Sequence, residues 1–256
     1  MSAGSLRVIH IGGPTVLLQL GGLSLLVDPT FDPPGEVGSA TRTLTKLRGP
    51  ALEATALPPL DAVLLSHDQH ADNLDAAGRA VLATAPIALT TPLAAERLGQ
   101  PARALEPWES VTLVGETSEV TVTAVPARHG PIGSEPVIGP VTGFVLTGDG
   151  LPTVYVSGDN SAPELVEEIA ARVPPVDIAV LFAGAARTPS VDGALTLTAT
   201  DAVAAARAIG APVVVPVHTE GWAHFSESTD DLVRAFAAAG LGTLLRVPER
   251  GIPFEI

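Results

Sequence analysis

A chain of 256 residues with 46% apolar side chains can bury a substantial core, which excludes a disordered tail or linker. Its net charge of −14, with Lys46 the one lysine and the arginines dispersed, argues against nucleic acid and anionic membrane surfaces as partners. There are no cysteines, so disulfides, thiolate ligands and a cysteine nucleophile are all excluded.

An acidic balance does not forbid an anionic substrate, because a bound divalent cation would dominate the local field. No basic–apolar–small leader pattern opens the chain, and no apolar run approaches the ~20 residues of a membrane span. A soluble, cytoplasmic protein is therefore expected, with a small molecule as substrate and homo-oligomerisation left open.

In chain order, 6–11 and 15–20 are short β-rich runs split by Gly12-Gly13-Pro14. Gly21-Gly22 then turns the chain into 23–27, which ends at Asp28-Pro29. Residues 30–58 show little periodicity and read as a long surface excursion of the kind that forms lids or binding loops. A buried-type strand at 61–65 stops at Ser66-His67. Helical spacing covers 72–83, a strand 87–90 and a short helix 92–98. Runs at 111–114 and 120–125 alternate like paired strands and lead to Arg128-His129.

In the second half, 143–147 and 153–157 are strands, the latter ending at Gly158-Asp159. A helix follows, with Ser161 at the N-cap, Pro163 in the first turn and Glu164 completing a capping box. Then come a strand at 177–182, a helix at 198–209 closed by Gly210, and a strand at 213–217 ending at His218. A helix at 229–239 and a final strand at 243–247 complete the chain. No fixed-period repeat or linker interrupts this order. Residues 1–256 are read as a single α/β domain of two sheets packed face to face with helices outside, a four-layer sandwich.

Six histidines are available: His10, His67, His70, His129, His218 and His224. Three of them, His67, His129 and His218, follow strand-like runs, and so do Asp28 and Asp159. In α/β sheets, ligands bind where loops converge at the carboxyl ends of strands. One histidine in such a place is an ordinary hydrogen-bonded residue; five ligand-type residues at five strand ends form a pattern. His67, His70 and Asp72 share a tight loop that can turn all three inward, which strand alternation could not. Zinc and similar ions favour neutral imidazole plus carboxylate, with a position left open for water.

The order Asp28, His67-x-x-His70-x-Asp72-Asn73, His129, Asp159, His218 resembles the five-motif signature of the metallo-β-lactamase superfamily over nearly the whole chain. The contexts Leu-Leu-Val-Asp28-Pro, Val-Leu-Leu-Ser-His67, Ser-Gly-Asp159 and Pro-Val-His218 carry the likeness. The opening Val-Ile-His-Ile-Gly-Gly-Pro is similar to the branch containing ascorbate-6-phosphate lactonase. The resemblance implies the αββα sandwich and a metal-dependent hydrolase. His67, His70 and His129 would hold one ion and Asp72, Asn73 and His218 another, with Asp159 bridging.

The chain departs from the family's His-x-His-x-Asp-His in two ways. One extra residue separates the histidines, and Asn73 stands where the last histidine belongs. A gapless alternative would put Asp68 in the first histidine's place. An amide oxygen binds zinc-like ions less well than imidazole, so one ion is expected to be held firmly and the second site to be weak or variable. Zinc is the expected ion, with Mn2+ and Fe2+ as alternatives.

Asp72 is the candidate catalytic group that orients or deprotonates water. Asp28 is expected to hydrogen-bond a ligand imidazole. Asp68 is a further candidate ligand or ligand-supporting group, and His10, Arg128, Trp222 and His224 are candidates for substrate contact. The expected reaction is hydrolysis of a small ester, lactone, amide or phosphoester by water that the metal activates. The alternatives are phosphodiester cleavage, as in phospholipase-like relatives, and a non-catalytic metal- or ligand-binding module.

Overall fold

The computed structural model describes residues 4–39, 42–116 and 118–256; residues 1–3, part of the leader reading, lie outside them. The chain opens with an antiparallel meander of β1 (Arg7–Gly12), β2 (Thr15–Leu20) and β3 (Leu23–Val27). A two-residue turn joins the last two, with Gly21 and Gly22 both at positive φ, as the hairpin twist requires. Next come a hairpin of β4 (Gly35–Ser39) and β5 (Arg42–Lys46), then β6 (Ala62–Leu64), α1 (Ala76–Leu82), β7 (Ala88–Thr90), α2 (Pro92–Leu98) and β8 (Ala102–Ala104).

The second half contains β9 (Ser110–Val114), β10 (Glu119–Pro126), α3 (Glu135–Ile138), β11 (Thr142–Thr147), β12 (Val154–Val156) and α4 (Pro163–Ala170). It continues with β13 (Ile178–Phe182), α5 (Ala199–Ile209), β14 (Val213–Val217), α6 (Thr229–Ala238) and β15 (Phe254–Glu255).

Two large mixed sheets result. One runs β15-β1-β2-β3-β6-β7-β8 and turns parallel from β3 onward. The other runs β14-β13-β12-β11-β10-β9 and is parallel over its first three strands. Their facing sides share one core, in which Leu18, Leu25 and Leu64 pack with Phe144, Val180 and Phe182. On the outer face of the second sheet, Tyr155 and Leu181 pack with Val166 of α4, Ala202 of α5 and Phe236 of α6. On the outer face of the first, Leu17 and Val63 pack with Leu82 of α1 and Leu98 of α2. This is the four-layer αββα arrangement. Among the described residues no helix is long and apolar enough to cross a membrane.

Four local expectations change. The excursion at 30–58 contains the β4–β5 hairpin. The helix expected from 72 starts at Ala76, because the Asp75 side chain caps it by accepting the Gly78 N–H at 2.7 Å; Asp72 stays in the preceding turn. The helix expected to be capped by Ser161 has Ala162 at its N-cap. Ser161 Oγ instead accepts the Gly130 N–H at 2.9 Å and lies 3.0 Å from the Arg128 carbonyl, bracing the turn that carries His129. The strand expected at 243–247 is a short 3-10 turn followed by one bridge, Leu245 to Val214, and the last strand lies further on at β15.

Candidate metal centre

Strands β3, β6, β12 and β14 are largely buried and β10 is buried along one face, and ligand-type residues appear where each leaves its sheet: Asp28, His67, His129, Asp159 and His218. Asp28 (φ +38°) and His218 (φ +57°) hold left-handed backbone that non-glycine residues rarely adopt. Such strain, on the order of 1–3 kcal/mol, persists where the surroundings over-determine the conformation, and it clusters at functional sites. Gly158, at φ +54°, makes the turn into Asp159. A Cβ there would sit 2.5 Å from the Thr142 carbonyl oxygen, so glycine alone fits.

The loop after β6 closes on itself, with the N–H groups of Asn73 and Leu74 both donating to the His70 carbonyl. It brings His67 Nε2 to 2.9 Å from His70 Nδ1, and His129 Nε2 comes to 3.1 Å from the same atom. The tautomers decide what this convergence means. His129 Nδ1 lies 2.6 Å from the Leu195 carbonyl, which can only accept, so the proton is on Nδ1 and Nε2 carries a lone pair. Ser66 Oγ donates to Asp28 Oδ2 at 2.6 Å, so it accepts from His67 Nδ1–H at 2.9 Å, and His67 Nε2 also carries a lone pair. Two lone pairs therefore point at one His70 nitrogen, which has at most one proton to offer. A cation among the three nitrogens satisfies them all.

Asp159 completes the set: its Oδ2 lies 3.5 Å from His129 Nε2 and 3.9 Å from His67 Nε2. The four donor atoms fall within 4.8 Å of one another, as do those of a second group, Asp72, Asp159 and His218. Asp159 belongs to both. Burial pushes the His67 imidazole down to about 4 and lowers His129 as well, so both are neutral at pH 7. Burial alone would raise Asp159, but the neighbouring His218 and His129 outweigh it and hold the carboxyl well below its usual range. Asp72 is likewise lowered, because His224 and His218 overcome its burial. Burial lowers His218, yet the carboxylates of Asp159 and Asp72 reverse this and carry it up to about 10. His67 and His129, neutral beside the ionised Asp159, form a donor set suited to a zinc-like ion.

The remaining candidates divide. Asp68 is held away by Arg97, whose Nε donates to its two carboxylate oxygens at 3.1 and 3.0 Å, so His67 and not Asp68 stands in the cluster. Asn73 Nδ2 donates to Asp28 Oδ2 at 3.0 Å and to Asp159 Oδ1 at 3.1 Å, bracing two carboxylates. Asp28 does not touch an imidazole; it reaches His67 through Ser66. His10 Nε2 sits 3.0 Å from the Gly13 carbonyl, in a separate small cavity beside Glu220 and Arg250. Arg128 is occupied by Glu164 at 2.5 Å and the Gly130 carbonyl at 3.2 Å. Trp222 is buried, with the Lys46 ammonium 5.3 Å from its ring.

Of these four substrate-contact candidates, His224 lines the cavity of about 650 Å³ that opens over His70, Asp72 and His129. The cavity's other walls are Thr43 and Leu44 of β5, Val137 of α3 and Arg187–Ser190. Nothing in the sequence around Arg187 marks it as a site residue. It stands in an irregular stretch between β13 and α5 with no neighbouring motif, and only the fold brings it to the site.

The family model of the β-lactamase superfamily domain matches residues 24–219. A Methanosphaerula palustris protein named as a metal-dependent hydrolase is 31% identical over 177 residues, covering 66% of this chain and 73% of that protein. The solved structure of isothiocyanate hydrolase from Delia radicum gut bacteria superposes with a TM-score of 0.82 at 20% identity, over 97% of this chain and 98% of that one. A Veillonella parvula protein described as a possible metal-dependent hydrolase gives 0.81 at 19% identity, with coverage of 97% and 98%. At these identities the likeness to the solved structures is one of fold. On the family match, the relative from Methanosphaerula palustris and the shared fold, this chain belongs to the β-lactamase superfamily.

Proposed function

We propose that the chain, a metal-dependent hydrolase of its superfamily, cleaves a small ester, lactone, amide or phosphoester held in the cavity above the histidine cluster. The observation that carries this reading is the convergence of the His67, His70 and His129 nitrogens below a cavity of about 650 Å³, a volume suited to a small molecule. A divalent cation held there, zinc or alternatively Mn2+ or Fe2+, supplies Lewis acidity that polarises the scissile group and lowers the pKa of water towards ~7.

The chain's own groups do the rest. Leu195 fixes the tautomer of His129, and the Asp28–Ser66 pair fixes that of His67, so each presents a lone pair. Asp72 is ionised and opens on the cavity, where its carboxylate accepts a hydrogen bond from the attacking water and orients it. Arg187 offers a guanidinium at the cavity wall to an anionic part of the substrate.

The test is a panel of lactones, aryl esters, phosphodiesters and isothiocyanates, the last because one neighbour of the same fold hydrolyses them. Turnover of at least one class is expected, lost on chelation, restored by Zn2+ or Mn2+ and abolished by His67→Ala. Turnover that survives His67→Ala contradicts the reading.

A further inference from the structure

Beside the cavity over the histidine cluster lies a second one of about 340 Å³, and His70 and Leu44 are walls of both. Their other walls differ in chemistry. The first cavity carries Asp72, His224 and Arg187. The second is apolar where its wall is free: Val37 and Leu44, which pair across the β4–β5 hairpin, close it with Ala71, Leu74 and Ala76. Its polar walls are already engaged. Asp68 is held by Arg97, Gln69 Nε2 donates to the Pro140 carbonyl at 2.8 Å, and Arg79 donates to the Asp68 carbonyl at 2.9 Å. Asp75 is taken up by Lys46 and by the N–H groups of Phe31, Asp32 and Gly78.

The Lys46–Asp75 pair also fixes the shape of this cavity. Lys46 follows Leu44 closely on β5, and Asp75 caps α1 between Leu74 and Ala76, so the pair holds the hairpin and the helix start together. A preformed apolar pocket next to a polar one suits a substrate with two unlike arms. We propose that the second cavity receives an apolar arm of the substrate, an unbranched alkyl chain or a single aryl ring, while the scissile group lies over His67, His70 and His129. The polar or anionic arm then points along the first cavity to Arg187. This names the substrate class within the hydrolase reading, on which it rests: an ester, lactone, amide or phosphoester with a hydrophobic substituent.

The experiment measures, by calorimetry, the binding of straight-chain alkylphosphonates from methyl to octyl to Zn2+-loaded protein. The head group is the same throughout, so differences report the tail. Affinity should rise about fourfold per methylene while the tail enters the cavity, then level off once it is full. Val37→Asn, which puts an amide into the apolar wall, should reduce the gain to less than about twofold per methylene and leave methylphosphonate within about twofold. Ala76→Phe, which fills the space, should halt the gain at a shorter chain. Retained binding of methylphosphonate reports that each variant is folded.

Affinity that is flat along the series, with methylphosphonate bound, overturns the proposal and leaves the hydrolase reading in place. So does a gain that either variant leaves unchanged, which puts the tail elsewhere. A series in which no member binds overturns the proposal too, and the substrate panel under chelation then decides the hydrolase reading separately.

Discussion

The relay from Asp28 through Ser66 to His67 sets the tautomer on which the cluster depends, and its far end is a carboxylate under strain. Asp28 is fully buried, and burial pushes it up to about 7, despite hydrogen bonds from Ser66 and Asn73 that pull it down. Between pH 4 and about 7 the unfolded chain has released this proton while the folded one still binds it, so Asp28 makes the fold less stable as pH rises. The comparison with Asp28→Asn isolates the effect. In metal-free protein, wild type should lose stability relative to the variant across this window, with a slope of at most ~1.4 kcal/mol per pH unit that levels off above pH 7. A pH-independent difference in urea midpoints would rule this out. For Arg187→Ala, a rise in KM of about tenfold for anionic substrates is expected with kcat little changed, since Arg187 lines the cavity with its Nε braced on Ser226 Oγ at 3.2 Å. An equal loss in kcat would place Arg187 in the chemistry itself. Strand ends made His67, His129, Asp159 and His218 legible in the sequence. Nothing local could show that His224 meets Asp72 across 152 residues, or that Arg128 turns to Glu164.

At the scale of elements, the β4–β5 hairpin is the feature the sequence hid. Its strands, Gly-Glu-Val-Gly-Ser and Arg-Thr-Leu-Thr-Lys, pair with each other outside both main sheets and carry little apolar alternation. Tertiary contacts position it. Lys46, the one lysine, is buried at the end of β5 and pairs with Asp75 at 2.9 Å, and both side chains are almost wholly out of solvent. Asp75 also accepts the N–H groups of Phe31, Asp32 and Gly78, so one carboxylate ties the hairpin, the chain after β3 and the start of α1 together. Lys46→Met leaves that charge without its cation. The expected cost is about 3 kcal/mol, read from urea denaturation. Because Thr43 and Leu44 of the same strand wall the cavity, KM should rise with it. A variant as stable as wild type would show that the pair does not anchor the hairpin. The regular elements were more legible: α5 begins at its Thr198 capping box and stops at Gly210, as its sequence dictates.

Across the whole molecule, the cluster joins the two halves. His67, His70 and Asp72 leave the seven-stranded sheet through the loop after β6, whereas His129, Asp159 and His218 leave the six-stranded sheet. An ion bound among them bridges both sheets and stabilises the folded chain alone. At a hundred times its dissociation constant it should add about 2.7 kcal/mol. For a chain of this size that corresponds to a rise of about 5–10 °C in melting temperature, reversed by a chelator. A melting temperature indifferent to chelator and metal would contradict the bridge. Anomalous diffraction from crystals soaked in Zn2+ tests the three-histidine site most directly. A peak is expected about 2.0–2.1 Å from each of His67 Nε2, His70 Nδ1 and His129 Nε2. Ordered side chains with no anomalous peak among those three nitrogens would contradict it.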